Sequence, residues 1–157
     1  MGECGFGIAA PAAGRVVPLD TMNDQVFSAG MLGKGCGIVP APGCEALVAP
    51  TAGVVSVTME SSRHALCLTT DDGVELLLHV GIDTVGMRGV GFAYHVARGE
   101  RVAVGQPLMS FSQEAIVAAG LDSTVLMVVS NTDDFSRVEV AASGDVVAGD
   151  KLLVITR

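Results

Sequence analysis

The sequence predicts an all-β protein, an antiparallel β-sandwich or flattened barrel with short helical turns. Short Val-rich runs of strand length recur along the 157 residues and are separated by Gly, Pro, Asp and Asn. Turn signals such as Asp72-Gly73 and Arg98-Gly99-Glu100 lie between these runs. Long stretches with a 3.6-residue hydrophobic period are scarce, so strands rather than helices should build the core.

Six runs have the length and the composition of strands, because aliphatic and β-branched residues fill them. In chain order they are Val54–Thr58, Ala65–Thr70, Val74–Val80, Val125–Ser130, Val138–Ala141 and Lys151–Thr156. Two further segments, Asp20–Ser28 and Gln113–Gly120, predict a helical turn or two each. The alternation of short strands and turns therefore extends through most of the chain.

A local unit occurs twice, in Arg98–Met109 and in Ser143–Val154, and predicts a tight turn that feeds a short strand. Looser relatives of this unit open with Ala-Pro near Pro11 and Pro50. Such units are typical of the hybrid barrels of biotinyl- and lipoyl-like folds, which favours a duplicated hybrid-barrel motif. No linker or shift in composition divides the chain. We therefore expect one domain over residues 1–157, with a short flexible segment at about residues 1–9.

Composition excludes several classes of protein. The chain has 9 basic and 17 acidic residues, a net charge of −8, and no Trp. An acidic chain with few stacking aromatics is a poor candidate for nucleic-acid binding. The longest apolar runs, such as Val125–Val129, are far too short to insert into a membrane. Four cysteines without a Cys-x-x-Cys pair and without a secretory signal predict a reduced, cytoplasmic protein.

The most informative segment places two histidines on a predicted hairpin. Asp72-Gly73 between two alternating runs predicts a two-residue loop. In that register His79 faces Leu66 and Gly81 faces His64, so the two imidazoles are diagonal neighbours on one face of the sheet. A three-residue loop would instead place the two rings on opposite faces, so the expectation depends on the turn.

Two imidazoles on one apolar face have three interpretations. They can be a structural pair, two ligands of a metal, or a nucleophile with an assisting group. A neutral ring can attack phosphorus or a carbonyl carbon, while the other balances developing charge. Gly81 could bring its carbonyl close enough to fix the tautomer of His79, and Asp83 could orient a ring or tune its charge.

The chain carries a set of motifs around these histidines. The segment Leu76–Phe92 reads LLLHVGIDTVGMRGVGF. Further motifs follow one another at Val26-Phe27, Gly33–Pro40, Ala49–Gly53, His64-Ala65, Gly99–Gly105 and Val128–Asn131. Together they resemble the glucose-type enzyme IIA component of the bacterial phosphoenolpyruvate-dependent sugar phosphotransferase system, through most of the chain.

The resemblance implies a phosphotransferase component with a phosphohistidine intermediate. His79 would accept the phosphoryl group from phospho-HPr and pass it to a cysteine of a IIB domain for sugar uptake and phosphorylation. His64 matches the second active-site histidine, Ser62 supplies a hydroxyl beside it, and Asp83 matches the aspartate of the site. The apolar rim that docks partners is matched by Phe27, Leu32 and Leu77. The family needs no cofactor, and its sugar is chosen by a separate membrane IIC domain.

The sequence departs from the family pattern in one place, and its two histidines leave two other functions open. Thr58–Arg63 is one residue longer than the pattern and lacks its aromatic, where Met59 or Glu60 stands instead. A zinc-dependent hydrolase is the weaker alternative, because His64 and His79 supply two zinc ligands where a catalytic zinc needs three. A regulatory module that binds metabolic enzymes or transporters could use the same face, with phosphorylation as its switch.

Overall fold

The computed structural model describes residues 5–21 and 32–157. In this part of the chain fourteen strands form, together with one short α-helix, α1 (Gln113–Ala118), and 3-10 turns at Leu19–Thr21, Thr84–Met87 and Thr132–Asp134. The strands are β1 (Gly5–Ala9), β2 (Gly14–Pro18), β3 (Lys34–Pro40), β4 (Ala46–Val48), β5 (Gly53–Thr58), β6 (Ala65–Thr69), β7 (Glu75–Val80), β8 (Phe92–Tyr94), β9 (Arg101–Val102), β10 (Pro107–Phe111), β11 (Val125–Val129), β12 (Arg137–Val140), β13 (Asp145–Val146) and β14 (Lys151–Thr156).

Among the described residues the strands form three sheets, and every pairing is antiparallel. An eight-stranded sheet has the order β13-β2-β3-β11-β7-β6-β5-β9. Two three-stranded sheets have the orders β1-β14-β12 and β4-β10-β8. The predicted all-β antiparallel sandwich is thus confirmed. Strand β7 lies between β11 and β6, near the middle of the largest sheet, so its backbone hydrogen bonds on both edges are made.

One hydrophobic core joins the three sheets. It contains Ile155 from the β1-β14-β12 sheet, Met109 from the β4-β10-β8 sheet, and Leu78 and Met127 from the eight-stranded sheet. These side chains are 0–1% exposed. Because each sheet buries one face against the others, the layers of the sandwich are held mainly by the burial of aliphatic surface, at about 25 cal/mol per Å².

The six strands expected from the sequence all form, with differences of one or two residues at their ends. The helical turn at Gln113–Gly120 is also present as α1, where the Ser112 hydroxyl accepts a hydrogen bond from the Ala115 N–H. Of Asp20–Ser28, the described part ends at Thr21 with a single 3-10 turn. Of the segment expected to be flexible, about residues 1–9, Gly5–Ala9 pair with β14 as an edge strand.

The predicted two-residue hairpin loop is wrong. In β6 and β7, Ala65 pairs with His79 and Thr69 with Glu75, so Asp71, Asp72 and Gly73 form a three-residue loop. Only Gly73 of the three has a positive φ, +85°. A two-residue type I′ turn needs positive φ at both central residues, whereas the observed loop needs it only at its last position. Asp72-Gly73 is therefore compatible with the longer loop, because its glycine stands at that last position.

Membrane insertion can be examined in the helices. Within residues 5–21 and 32–157, no helix reaches the length and apolar character that a membrane span requires.

Candidate functional site

His79 lies in a regular central strand. It pairs with Ala65 of β6 on one side and with Leu126 of β11 on the other. Directly paired residues point to the same side of a sheet, so the three form one row. The next row along the same side is Cys67, Leu77 and Val128. We call these six residues the His79 face; it is the side of the eight-stranded sheet opposite the main core.

An apolar cluster supports the His79 face. Leu126 and Val128 are fully buried and pack with Ile82, while the partly buried Leu19 and Leu77 lie against them. This cluster is separate from the main core, so β11 is covered on both sides. An uninterrupted apolar run is the pattern expected of such a strand, and Val125–Val129 has that pattern. Leu126, Val128 and Ile82 were not singled out from the sequence, although the run contained the signal.

His64 is held differently from His79. It lies between Arg63, whose φ is +51°, and the first residue of β6. In a regular strand His64 would point away from the face shared by Ala65 and His79. The backbone turns at Arg63 instead, and the imidazole rings of His64 and His79 meet edge to face with centroids 4.7 Å apart and planes at 86°. The two rings are therefore neighbours, as expected, although the register that led to this expectation is wrong.

Burial and one hydroxyl define the state of His64. Its side chain is 3% exposed, and its Nδ1 lies 2.8 Å from the Oγ of Ser62, which is itself 5% exposed. Burial lowers the pKa of His64 below the ordinary value of 6.5, because the imidazolium loses its hydration. His64 is therefore neutral at pH 7. His79 is half-buried, so it is the more accessible of the two rings.

The strand that carries His79 ends at a tight turn. Gly81 has a φ of +79°, and a Cβ there would lie 2.4 Å from Thr84 Cγ2 and 2.8 Å from the Asp122 carbonyl oxygen. Its N–H donates to the Thr124 carbonyl at 2.8 Å. Asp83 also has a positive φ and is exposed, and among the described contacts none joins its carboxylate to either ring. The sequence-based roles of the Gly81 carbonyl and the Asp83 carboxylate stay predictions.

The three residues expected at the docking rim have different positions. Leu77 lies on the His79 face, half-buried, one row away from His79. Leu32 is 38% exposed just before β3, whose first residue pairs with Val129 at the other end of β11. Phe27 lies outside the described residues. The structure thus brings Leu77 directly beside the histidines.

Two side chains that the sequence did not single out fix the loop before His64. The Tyr94 hydroxyl donates to the Ala65 carbonyl and accepts from the Met59 N–H at 3.0 Å. Arg63 Nη2 donates to the Gly89 carbonyl at 3.3 Å. The only signal for Tyr94 was that it is the single Tyr of an aromatic-poor chain, at the end of a short strand. Sequence spacing gives no indication that this strand crosses the loop.

The donor set near the rings is too small for a resident catalytic zinc. In the described part of the chain, no group of three or more His, Cys, Asp and Glu side chains is arranged to hold a metal ion. His64 and His79 offer two nitrogens, and catalytic zinc takes three protein ligands. Within residues 5–21 and 32–157, the two rings therefore supply fewer ligands than a catalytic zinc takes, and zinc at His64 and His79 stays a prediction.

Comparison with known proteins agrees with this geometry. The family model for the phosphoenolpyruvate-dependent sugar phosphotransferase system, EIIA 1, matches residues 6–135. The β-glucoside-specific EIIBCA component of Bacillus subtilis (strain 168) is 41% identical over 149 residues, which are 95% of this chain and 24% of that protein. The glucose-specific EIIA component of Oceanobacillus iheyensis is 33% identical over 94% of this chain and 87% of its own.

A solved structure is similar to almost the whole chain. The glucose permease IIA from Mycoplasma capricolum has a TM-score of 0.85 and 28% sequence identity, and the match covers 96% of both chains. The chain spans about a quarter or less of the EIIBCA-type relatives, 24% of the Bacillus subtilis protein and 23% of the Halalkalibacterium halodurans protein. The family match over residues 6–135, the similar EIIA components and the similar solved structure together show that the chain belongs to the EIIA 1 family of the phosphoenolpyruvate-dependent sugar phosphotransferase system.

Proposed function

We propose that this chain is a phosphocarrier that takes a phosphoryl group from phospho-HPr onto His79 and passes it to a cysteine of a IIB domain. The observation that carries the proposal is the pair of imidazoles 4.7 Å apart, with the more accessible ring in the middle of an apolar face. Family membership supports it. The partly exposed Leu77 and Cys67 beside His79 offer an apolar surface that suits docking of successive protein partners.

The chemistry requires one nucleophilic ring and one neutral donor. A ring nitrogen of His79 attacks phosphorus as the bond between phosphorus and the donor group breaks, and the donor leaves with the electron pair. With the Ser62 hydroxyl as donor to His64 Nδ1, 2.8 Å away, the neutral His64 carries its proton on Nε2. That N–H can donate to a phosphoryl oxygen and stabilise the charge that develops during transfer.

Onward transfer reverses these steps. A cysteine thiolate of the IIB domain attacks phosphorus, the bond to His79 breaks, and His79 returns to its neutral form. Cys67 lies on the same face, but burial, followed by the charge of Glu75, raises the pKa of its thiol. Cys67 therefore stays protonated at pH 7 and does not compete as a nucleophile.

The direct experiment is phosphorylation by phosphoenolpyruvate, enzyme I and HPr, followed by measurement of acid-labile phosphate. The wild-type chain should be labelled and His79→Gln should not. His95→Gln is the matched control, because His95 is exposed and its Nε2 lies 2.6 Å from Ser110 Oγ, away from the paired rings. Equal labelling of wild type and His79→Gln would exclude the proposal.

A second variant separates the two histidines. His64→Gln should accept phosphate on His79 at close to the wild-type extent and release it to a IIB domain at least about tenfold more slowly. Its readout is the decay of labelled protein after a purified IIB domain is added. A normal rate of decay would remove the assisting role of His64.

Transfer should need no metal. The attacking and stabilising groups are both side chains of this chain, so removal of divalent ions by a chelator after the labelling mixture has acted should leave onward transfer unchanged. Loss of onward transfer that added zinc restores would instead show that His64 and His79 hold a metal. Three described cysteines are free thiols, which supports a reducing, cytoplasmic setting.

A further inference from the structure

We infer that Tyr94 is a positioning residue for His64, acting through the loop of residues 59–64. The inference rests on the proposed phosphocarrier function, in which His64 assists onward transfer. Tyr94 belongs to β8, in the β4-β10-β8 sheet, whereas the loop connects β5 and β6 of the eight-stranded sheet. One side chain from another sheet therefore decides where this loop lies.

The Tyr94 hydroxyl bonds both ends of the loop. At the start it accepts a hydrogen bond from the Met59 N–H at 3.0 Å, and at the end it donates to the Ala65 carbonyl. Ala65 is the residue that pairs with His79. The hydroxyl thus fixes the distance between Met59, at the start of the loop, and Ala65, which lies beside His79 in the sheet.

Besides the two bonds of Tyr94, the loop is held by Arg63 Nη2, which donates to the Gly89 carbonyl at 3.3 Å, and by the His64 carbonyl, which accepts from the Val80 N–H at 2.8 Å. Met59, Glu60 and Ser61 are exposed, yet Ser62 and His64 after them are buried. Within the loop, the Arg63 N–H donates to the Met59 carbonyl at 2.7 Å, so the position of Met59 is transmitted directly to the residue before His64. A loop whose first three residues are exposed depends on such bonds to hold one conformation.

The protonation state and the packing of Tyr94 suit this role. Burial raises the pKa of Tyr94, so at pH 7 the hydroxyl keeps its hydrogen and its bond to the Ala65 carbonyl. The ring packs against the main core, which holds the hydroxyl in place from the opposite side. Tyr94 touches neither imidazole in any described contact, so its effect must pass through the backbone of residues 59–65.

The test is Tyr94→Phe, which keeps the ring and removes both hydrogen bonds. Labelling of His79 by phospho-HPr should remain, while transfer from the labelled protein to a IIB domain should slow about tenfold, equivalent to about 1.4 kcal/mol. Nuclear magnetic resonance should show shifted ring signals of His64 and unshifted ring signals of His95. An unchanged transfer rate with unchanged His64 signals would overturn the inference.

A matched control removes an equivalent hydroxyl far from the histidines. Ser136 Oγ contacts the Thr156 carbonyl at 3.1 Å and the Arg157 carbonyl at 2.6 Å. Ser136→Ala should lower stability to a similar degree and leave transfer and the His64 signals unchanged. If Ser136→Ala slows transfer as much as Tyr94→Phe does, the effect of Tyr94 is general destabilisation and the inference fails.

Two further measurements test the inference, one on a double variant and one on the wild-type chain. Adding Tyr94→Phe to Ser62→Ala should slow transfer less than the product of the separate effects, because both act through the position of His64. In the wild-type chain, the Met59 amide should exchange slowly although Met59 is 41% exposed. Independent effects, or rapid exchange at Met59, would contradict the inference. An unlabelled wild type would refute the phosphocarrier function, whereas the ring signals would still report on Tyr94.

Discussion

The two histidines of the site are positioned by different kinds of structure. His79 is one residue of a hydrogen-bonded strand with paired neighbours on both sides, and its place follows from sheet register. His64 lies just outside a strand, after a residue with positive φ. Its ring bonds Ser62, and the loop before it is held by the bonds of the Tyr94 hydroxyl to Met59 and Ala65. The proposed phosphoryl acceptor, His79, is therefore built into the framework of the sheet, whereas the proposed assisting group, His64, is adjustable through these side chains.

The largest loss of stability should follow from a change in the strands that hold His79. Leu126 pairs with His79 and is fully buried in the apolar cluster on the His79 face. Leu126→Ala should lower the free energy of unfolding by about 3 kcal/mol, because it removes a buried side chain from a region closed on both sides. Urea unfolding measures this, with Val140→Ala, at a 46% exposed position, as a control of under about 0.5 kcal/mol. A loss below about 1 kcal/mol would show that the cluster does not support the strand.

The adjustable side should respond to the loss of one hydroxyl. Ser62→Ala leaves the buried Nδ1 of His64 without its bond, which should cost about 1–2 kcal/mol of stability and slow onward transfer about tenfold. Labelling of His79 should persist, since the strand is untouched. Ser110→Ala removes the same kind of partner from the exposed His95 and should have little effect on either measurement. If Ser62→Ala and Ser110→Ala had equal effects on stability and transfer, the burial of the Ser62–His64 pair would not make it more important than the exposed Ser110–His95 pair.

The pH dependence of stability should report the burial of His64. Its pKa in the folded chain is below the ordinary 6.5, so the unfolded chain binds the proton first as pH falls. Stability should be unaffected above about pH 6.5 and should decrease below it, by at most about 1.4 kcal/mol per pH unit, until the folded His64 also titrates. His64→Gln should lack this component. Identical curves for the two proteins between pH 5 and 7 would contradict the burial.

The smallest effect is expected at the exposed edge of the site. Asp83 follows the strand of His79 but has no described contact with a ring. Asp83→Asn should change the rate of phosphorylation by phospho-HPr by about two- to threefold, through the electrostatics of encounter, and the difference should shrink at high salt. A salt-independent loss of tenfold or more would instead assign Asp83 to the orientation of a ring, as the sequence suggested.

The hairpin shows how a correct expectation can follow from a wrong register. The alternation of Ala65–Thr69 and Glu75–Val80 located both strands, and Asp72-Gly73 located the turn. The loop length was missed, because a Gly that supplies positive φ serves a two-residue and a three-residue loop equally well. The rings still meet because the chain turns at Arg63, and no local pattern predicts a positive φ at an arginine.

The sequence did not predict strand β3, because its formation depends on close contact with a neighbouring strand and not on its own composition. The strand β3 contains two glycines and ends at a proline, so its composition argued against a strand. In the sheet, a Cβ at Gly35 would lie 1.9 Å from the Met127 carbonyl oxygen, so only glycine lets these two strands approach. A requirement of this kind depends on the neighbouring strand, which the local sequence does not contain.

The sequence by itself determined the all-β class, the central strands, the identity of both histidines and the resemblance to the sugar phosphotransferase family. Period-two hydrophobic patterns and motifs are local properties of the chain, and they carry that information. The tertiary structure alone decided the loop length, the apolar cluster on the His79 face, and the bond from Tyr94 to the loop of His64. These depend on which distant segments pack together, because burial and hydrogen-bond partners are set by neighbours in space.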